Sequence, residues 1–562
     1  MSGTTWRRLR LASQVTFLLL FFFLLMRTEF PGSVRSAGAD VRVPYPVAVF
    51  LETDPLVALA TALSTGTIYR HLLWAVPFVL LALVVGRAFC GWMCPLGTLH
   101  HLVSSMKSER KRGPKLLESN RYKRWQSAKY YVLAVVLVMA LFGSVAGLLL
   151  DPLSFLVRSM ATSALPVLNY GLRASLDWAH ELPLGPAAVG VTGAATVLNA
   201  TILSFRQPHF HQALAIGLLF AFVLVLNLRV TRFWCRAICP LGAMLAVVSR
   251  WSFVQLQKHD EKCNDCQRCE LHCQGGDDPI PGATWRKAEC HLCMNCLGDC
   301  PEGGLSFTWS GRPARQTRET PQLQRRAVIT SLIAGAGALP LLRTGPGVKA
   351  AGDPLLIRPP ASVDEEHFLE RCIRCGDCMK VCPNNALHPA LFEAGVEGLW
   401  SPVLVPRIGY CEPNCTLCTQ VCPTGAIWEM TVAEKIGRPA KVAPDGTVQQ
   451  PGQEPNRIGT AFCDRGRCLP WAMGIECIVC EEWCPTSPKA IYLVPAQVTD
   501  ATGQTRTVRQ PLVEPRRCTG CGACEFACPI KGRPAVYVTS AGESRSKANQ
   551  FLLPENQPLQ RS

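Results

Sequence analysis

The chain has 562 residues, of which 48% are hydrophobic and 17% are charged, with 29 cysteines and a formal net charge of +16. So low a charged fraction in so long a chain argues against a wholly soluble enzyme and for membrane segments beside ordinary domains. The cysteine content is too high for chance in a large protein and indicates disulfides, zinc sites or iron-sulfur clusters.

Four apolar segments are predicted to cross a membrane, namely residues 11–26, 72–89, 130–150 and 212–230. The last three carry few or no charges over about 18 residues or more, which is enough to span the hydrocarbon core. The first follows a basic stretch and has no small-residue cleavage site directly after Met26, so an uncleaved anchor is favoured over a secretory signal peptide. A weaker stretch, residues 184–203, is expected to lie against the periplasmic side.

The loop between the second and third predicted spans determines the expected orientation. It contains eight basic residues: Lys107, Arg110, Lys111, Arg112, Lys115, Arg121, Lys123 and Arg124. The positive-inside rule places this loop in the cytoplasm, together with the basic N-terminus. Residues 1–250 are therefore predicted to form an all-α four-helix unit in a bacterial inner membrane, with both ends of the unit on the cytoplasmic side.

Residues 322–345 form a fifth apolar segment of a different kind. Gln324-Arg325-Arg326 precedes about 16 residues of modest hydrophobicity, which is the length of an export signal's apolar core. The segment resembles a twin-arginine export signal inside the chain, and a fifth membrane helix is the alternative. Both interpretations place the residues after about 350 in the periplasm, and Val348-Lys349-Ala350 is a possible cleavage site.

Two cysteine pairs occur beside predicted spans, in near-identical C-x3-C-P-L-G motifs. They are Cys90 with Cys94, and Cys235 with Cys239. If the helix continues that far, each pair lies on one helix face. The repetition favours a redox role, as a possible relay, over helix-ending motifs whose cysteines only pack.

Residues 254–310 carry two cysteine motifs with the spacing of bacterial two-cluster ferredoxins. The ligand candidates are Cys263, Cys266, Cys269 and Cys273 in the first motif, and Cys290, Cys293, Cys296 and Cys300 in the second. In such ferredoxins the fourth cysteine of each motif ligates the other cluster. Cys300 is therefore expected to complete the first set and Cys273 the second, although Gln274 stands where proline usually follows.

Residues 351–562 contain four more motifs of this type. They comprise Cys372, Cys375, Cys378 and Cys382; Cys411, Cys415, Cys418 and Cys422; Cys468, Cys477, Cys480 and Cys484; and Cys518, Cys521, Cys524 and Cys528. Cys463 is left over, although it and Cys468 could exchange roles. We expect the first motif to share ligands with the fourth and the second with the third; exchange between adjacent motifs is the alternative.

Several other site types are disfavoured by the same sequence. Zinc sites do not need a tight third and fourth cysteine closed by proline, and six copies of one cluster spacing argue against disulfides. Covalent c-type haem lacks its motif, and no histidine lies well inside a predicted span, so no haem is expected. Residues 351–562 hold about 21 basic and 22 acidic side chains, which does not suit nucleic-acid binding.

These motifs resemble two known families joined head to tail. The four-helix unit with its C-x3-C-P motifs and two-cluster block is similar to the NapH/MauN membrane ferredoxin-type proteins. Residues from about 322 onward, with four cubane motifs in this order, are similar to the NapG/MauM polyferredoxins. The resemblance implies that electrons pass from quinol in the membrane pool, through the exported block, to a periplasmic reductase.

The expected fold class is mixed: an all-α membrane unit and α+β ferredoxin-like modules that hold about six 4Fe-4S clusters, with the metal-ligand bonds replacing a large core. No nucleophile with a base, phosphate loop or dinucleotide motif is visible, so the protein is at most a quinol dehydrogenase-type electron-transfer component. The alternatives are a redox maturation factor for a periplasmic enzyme and a membrane redox sensor.

Overall fold

The structure is a computed structural model of the chain. It describes residues 3–29, 41–110, 113–181, 188–201, 203, 208–277, 279–280, 285–309, 323–343, 355–437, 441–442, 448–450, 452–499 and 505–551. The possible cleavage site at Val348-Lys349-Ala350 lies outside these residues. The chain divides into two compact units. We call residues 1–28, 44–341 and 369–377 the helical unit, and residues 29–43, 342–368 and 378–562 the outer unit.

The helical unit contains most of the helices of the described chain. Its α-helices are Gly3–Arg27, Ala48–Glu52, Pro55–Thr65, Val76–Val84, Pro95–Arg110, Pro114–Asn120, Ala128–Leu141, Pro152–Ser159, Leu165–Glu181, Ala188–Thr201, Ala213–Val225, Phe233–Ala237, Pro240–Val248, Arg268–Leu271 and Asn295–Asp299, followed by Arg325–Arg343 at its end. Short 3-10 helices occupy Arg70–Ala75, Arg124–Ser127, Ala146–Leu150, Leu226–Leu228, Ser249–Trp251 and Asp260–Lys262. Single π turns occur at Phe89–Met93 and Met160–Ala164.

Three of the four predicted spans are shorter in the structure than in the sequence analysis. Among the described residues, two helices are long and apolar enough to cross a membrane, Gly3–Arg27 and Arg325–Arg343. Three of the four predicted spans instead form shorter helices, because each apolar run changes into a 3-10 turn before or after its α-helix. Residues 188–201, within the segment expected to lie against the periplasmic side, form a 14-residue helix. The four-helix membrane unit therefore remains a prediction.

An Asp-Pro-Leu sequence begins two helices of the helical unit. The Asp54 carboxylate accepts hydrogen bonds from the backbone N–H groups of Leu56, at 2.7 Å, and Val57. Asp151 caps the helix Pro152–Ser159 in the same way. An aspartate cap provides hydrogen-bond acceptors for the free N–H groups of the first turn. Proline at the first helical position already has a backbone φ angle close to that of a helix. The same local capping chemistry therefore fixes the start of both helices.

The inner ferredoxin block, residues 254–309, belongs to the helical unit. The strand Val254–Lys258 pairs antiparallel with Leu305–Trp309, in a register that sets Leu256 opposite Phe307. The paired strands join the two ends of the block, and the short helices between them carry the cysteine motifs.

The outer unit consists of short helices and two-stranded antiparallel sheets. Four strand pairs are described: Leu387–Pro389 with Pro402–Leu404, Lys441–Val442 with Val448–Gln450, Thr460–Cys463 with Val536–Thr539, and Ile491–Thr499 with Thr505–Val513. Its helices are Leu417–Gln420, Val432–Ile436, Val479–Glu482 and Ala523–Ala527, with a π turn at Leu469–Met473; Glu365–Leu369 and Asp377–Lys380 lie at unit boundaries. This content of helices and strands confirms the expected mixed fold class.

Candidate iron-sulfur sites

Four thiols of the inner block line one small cavity. They are Cys263, Cys266, Cys269 and Cys300. The Gly304 N–H donates to the Cys300 sulfur at 3.3 Å. Burial raises the pKa of Cys269 to about 12, and the Glu270 carboxylate and the thiols of Cys300 and Cys266 contribute. The structure thus brings Cys300 to the first triplet, as the ferredoxin exchange requires.

The second inner set gathers Cys290, Cys293, Cys296 and Cys273. Burial raises the pKa of Cys296, and the neighbouring thiols of Cys293 and Cys273 raise it further. The Leu292 N–H donates to the Cys290 sulfur at 3.4 Å. The absence of proline after Cys273 therefore does not prevent this cysteine from reaching the second triplet.

Glu289, immediately before this set, joins the inner block to the helices of the same unit. Its carboxylate pairs with Lys129 and accepts a hydrogen bond from the Tyr130 hydroxyl at 2.8 Å, while Arg87 lies 3.9 Å away. Burial alone would raise the pKa of Glu289, but the two cations hold it below its ordinary value. Position 289 was not singled out in the sequence, because a glutamate beside a motif cysteine is usually exposed.

In the outer unit, Cys382 of the first motif joins the second motif. Burial raises the pKa of Cys418, and the thiols of Cys411, Cys415 and Cys382 raise it further. The Ala386 N–H donates to the Cys382 sulfur at 3.3 Å. The expected exchange between the second and third motifs is therefore wrong, and the adjacent-motif alternative describes this set.

The third and fourth motifs also exchange their last cysteines. One cavity is lined by Cys484 together with Cys518, Cys521 and Cys524. Burial raises the pKa of Cys480 to about 12, and Cys468, Cys477 and Cys528 add to the effect. Cys528 therefore completes the third motif and Cys484 the fourth. Grouping cysteines of adjacent motifs has a physical reason: adjacent motifs are separated by fewer residues than distant ones, so bringing them together costs less loop-closure entropy.

The thiols of Cys463 and Cys468 lie close enough to influence each other. Cys468 is 6% exposed and packs with Cys528, whereas Cys463 is only half-buried at the end of the strand Thr460–Cys463. The Trp471 N–H donates to the Cys468 carbonyl at 3.1 Å, and the neighbouring Cys463 thiol lowers the pKa of Cys468. These contacts favour Cys468 as the ligand and leave Cys463 beside the site.

Lys435 holds the second outer motif in place. Its ammonium group donates to the Cys411 sulfur at 3.2 Å and to the carbonyls of Glu412 and Cys415, both at 2.6 Å. A capping box of Thr431 and Glu434 begins the helix Val432–Ile436 that carries Lys435. Burial disfavours its charge, but the nearby thiols raise the pKa of Lys435 above its ordinary value.

The three described sets of the outer unit follow one another. The Cys411 N–H donates to the Cys521 carbonyl at 2.8 Å, which joins the set of the second motif to that of the fourth. The helices Val479–Glu482 and Ala523–Ala527, which carry Cys480 and Cys524, pack against each other and place the third motif beside the fourth. A cavity of about 710 Å³ lies beside the sets of the second and fourth motifs. Its lining includes Cys411, Cys521, Lys435 and Trp483.

The boundary between the two units passes through the first outer motif, after Asp377. Within the helical unit, the Arg158 guanidinium donates to the Arg374 carbonyl at 3.0 Å, and Cys375 packs in the hydrophobic core. The cysteines of this motif before the boundary, Cys372 and Cys375, thus lie among helices of the helical unit.

The two C-x3-C pairs do not lie on continuous helices. Phe89–Met93 is a π turn and Cys94 is extended, while the helix Phe233–Ala237 ends before Cys239, which caps the next helix. The expectation of one helix face is therefore wrong, because proline after each second cysteine starts a new helix. The structure nevertheless brings all four buried thiols together.

Comparisons with known proteins agree with these sites. A family described as a 4Fe-4S binding domain matches residues 67–115 and 211–256, and a 4Fe-4S dicluster domain matches residues 371–426. The NapG ferredoxin-type protein of Escherichia coli is 30% identical over 223 residues, which are 39% of this chain and 86% of NapG. The chain belongs to the NapG/MauM family of ferredoxin-type proteins.

Other relatives cover further parts of the chain. The MauM methylamine utilization ferredoxin-type protein of Paracoccus denitrificans is 30% identical over 41% of this chain and 89% of MauM. YccM of Escherichia coli, a putative electron transport protein, is 27% identical over 53% of this chain and 74% of YccM. No solved structure matches the chain. Like the family, this protein is of the ferredoxin type, with 4Fe-4S domains suited to electron transfer.

Proposed function

We propose that this protein is a membrane-bound carrier that passes electrons from quinol to a periplasmic reductase. The succession of cysteine sets carries the proposal, because the described outer sets lie next to one another. A row of buried thiolate sites suits the movement of electrons along a fixed scaffold and leaves no place for substrate chemistry at the sets themselves. The relationship to the ferredoxin-type protein NapG supports a role in electron transfer.

Six ligand sets are proposed, one for each ferredoxin-type motif. A 4Fe-4S cluster bound at such a set takes up and releases one electron. The chain's own groups tune each set: backbone N–H donors on sulfur and the Lys435 ammonium stabilise negative charge, while burial excludes water. Because quinol oxidation releases two electrons and two protons, each quinol would require two one-electron transfers into the row.

The proposed membrane arrangement keeps the sequence-based boundaries: a membrane unit over 1–250, a cytoplasmic block over 254–310, a membrane segment over 322–345 and a periplasmic block over 351–562. The helix Arg325–Arg343 supports a fifth membrane helix over an export signal. It buries Ser331, Gly335 and Leu339, and Gly335 lies directly against the helix Ala128–Leu141. Small residues at such spacing are typical of closely packed membrane helices.

The test is electron paramagnetic resonance on the anaerobically purified, detergent-solubilised full chain, before and after addition of a reduced menaquinol analogue. We expect cubane signals to appear on addition of the quinol. Reduction by dithionite alone, with no response to quinol in membranes or detergent, would contradict the proposed donor. Oxidised menaquinone added under the same conditions is the control.

A maturation role is a second candidate. It is supported by the similarity to MauM, whose 30% identity to this chain equals that of NapG. In that role the same electrons would serve cofactor biogenesis in another periplasmic protein. A deletion strain separates the two. Loss of turnover in a periplasmic enzyme that still contains its complete cofactor supports electron supply, whereas accumulation of immature enzyme supports maturation.

A further inference from the structure

The third outer motif contains a loop that the other outer motifs lack. Eight residues, 469–476, separate Cys468 from Cys477, whereas two or three residues separate the first two cysteines of the other outer motifs. We call residues 469–476 the insert loop. A ligand candidate stands immediately before this loop and another immediately after it. Whatever contacts the insert loop therefore lies beside the third set, which comprises Cys468, Cys477, Cys480 and Cys528.

Hydrogen bonds hold the insert loop against the hairpin formed by residues 491–513. The Trp471 indole donates to the Pro511 carbonyl at 3.1 Å. The Gln510 side chain donates to the Pro470 carbonyl at 3.4 Å. The insert loop is thus fixed on the outer unit at the side of the third set.

The middle of the insert loop exposes apolar side chains. Met473 is 58% exposed and Ile475 is 48% exposed, whereas Trp471 packs with Cys468 and Cys528. Methionine is enriched at protein interfaces, because its flexible side chain adapts to different partner surfaces. The insert loop therefore presents an apolar contact surface within a few residues of two ligand candidates.

Basic side chains lie next to these apolar residues. The Arg465 guanidinium lies 4.2 Å from the centroid of the Trp471 ring. A Cβ atom built on Gly474 would lie 3.5 Å from the Arg506 guanidinium. Both arginines are exposed, so their charges are available to a molecule that approaches the loop.

Further cations extend this basic surface. Arg467 donates to the Arg533 carbonyl at 2.8 Å, and both arginines are exposed, as is Lys531. Glu476 is the one acidic residue of the insert loop, and its carboxylate lies 3.7 Å from Arg509. The surface beside the third set is therefore apolar at its centre and basic around it.

The third set also ends the succession of described outer sets. The second set adjoins the fourth through Cys411 and Cys521, and the fourth adjoins the third through packed helices. At the other end, the second set includes Cys382 of the first motif, which begins in the helical unit. Electrons that enter the row from the helical unit would therefore leave it at the third set.

We propose that the insert loop, with Arg465 and Arg506 beside it, is the docking surface for an acidic electron-acceptor protein. The apolar centre would make the close contact, and the basic side chains would attract and orient the acidic partner. In each transfer the third set loses one electron and the oxidised centre of the partner gains it, with no bond made or broken. The direction of flow rests on the proposed function, but it does not depend on quinol as the donor.

The experiment measures how fast the reduced full chain passes electrons to two test proteins of opposite charge, an acidic plastocyanin and a basic cytochrome c. The chain is purified anaerobically in detergent, reduced with dithionite and freed of excess dithionite. We expect faster reduction of plastocyanin at low ionic strength, and we expect this advantage to disappear as salt screens the exposed charges. Equal rates, or faster reduction of cytochrome c, would overturn the proposal.

The R465E/R506E variant locates the effect on the surface. We expect it to reduce plastocyanin about tenfold more slowly than the wild type at low ionic strength, because charge steering is lost. The matched control is R516E/R517E, which makes the same change in charge at exposed positions beside the cavity of the second and fourth motifs. Iron content and paramagnetic resonance spectra show whether each variant keeps its clusters. Equal slowing by the two variants, or an unchanged rate in R465E/R506E, would contradict docking at the insert loop.

M473E is the second variant, and it decides the matter if R465E/R506E loses iron. Met473 is exposed, so its replacement removes little packing and places a negative charge at the centre of the surface. F392E is its control, since Phe392 is 65% exposed in the same unit. We expect M473E, but not F392E, to slow the reduction of plastocyanin, and an unchanged rate in M473E would overturn the proposal. Dithionite replaces quinol throughout, so failure of the proposed donor would be seen separately.

Discussion

At the scale of single residues, Lys435 shows how one buried side chain can set the properties of a cluster site. Its ammonium group contacts one sulfur and two carbonyls of the second outer motif. Hydrogen bonds and positive charge at a ligand sulfur favour the reduced, more negative cluster. We therefore predict that K435M lowers the potential of this cluster by on the order of tens of millivolts, measured by a redox titration monitored by paramagnetic resonance.

The matched control is K531M, because Lys531 is exposed in the same unit. The cluster shifted in K435M should also be the one altered in C382S, since Cys382 joins Cys411, Cys415 and Cys418. If C382S instead alters a cluster whose potential K435M leaves unchanged, the adjacent-motif exchange is incorrect.

Cys463 and Cys468 make a second residue-scale prediction. Cys468 is the more buried and packs with Cys528, whereas Cys463 lies beside the set. We expect C468S to lose one cluster, or to convert it to a form with fewer iron atoms, while C463S keeps the iron content of the wild type. Iron analysis of the two purified variants decides the matter, and the opposite pattern would make Cys463 the ligand.

At the scale of elements, Glu289 connects the inner ferredoxin block to the helix Ala128–Leu141 and to Arg87. E289Q leaves two buried cations without their anion, so we predict a loss of about 3 kcal/mol in stability. E261Q, at an exposed position of the same block, should be neutral.

The measurement for Glu289 is thermal unfolding of the detergent-solubilised protein, followed by loss of cluster absorbance. Because the pKa of Glu289 is held low, its contribution is present above the ordinary glutamate value of about 4.5 and is lost as the pH falls through the lower folded value. Wild type and E289Q should therefore converge in acid. A constant difference at all pH values would argue against the charge pairing.

Packing of the helix Arg325–Arg343 gives another prediction at this scale. A Cβ atom on Gly335 would lie 2.9 Å from the Cβ of Val138, whereas one on Gly337 would meet nothing within 4 Å. G335V should therefore destabilise the helical unit by about 1–3 kcal/mol, and G337V should not. The readout is the thermal midpoint in detergent, and equal behaviour of the two variants would contradict the packing.

At the scale of the whole molecule, the proposed sidedness follows from charge and apolar length. The basic loop around residue 113 should lie in the cytoplasm and residues 351–562 in the periplasm. Alkaline phosphatase fused after residue 551 is therefore expected to be active, and the same enzyme inserted at residue 113 inactive, with a fluorescent protein giving the reverse pattern. Activity at both positions, or at neither, would contradict the topology.

The sequence by itself determined the family and the cluster type and predicts the motif ligands, because cubane ligation imposes a local cysteine spacing that survives without tertiary information. It could not determine which motif Cys382 completes or that Glu289 and Lys435 hold the sites, since these contacts join residues far apart in the chain. It also identified Cys90, Cys94, Cys235 and Cys239, but only folding brings the two pairs together. Charge compensation in a buried site depends on all the neighbours at once, and those neighbours are set by the tertiary structure.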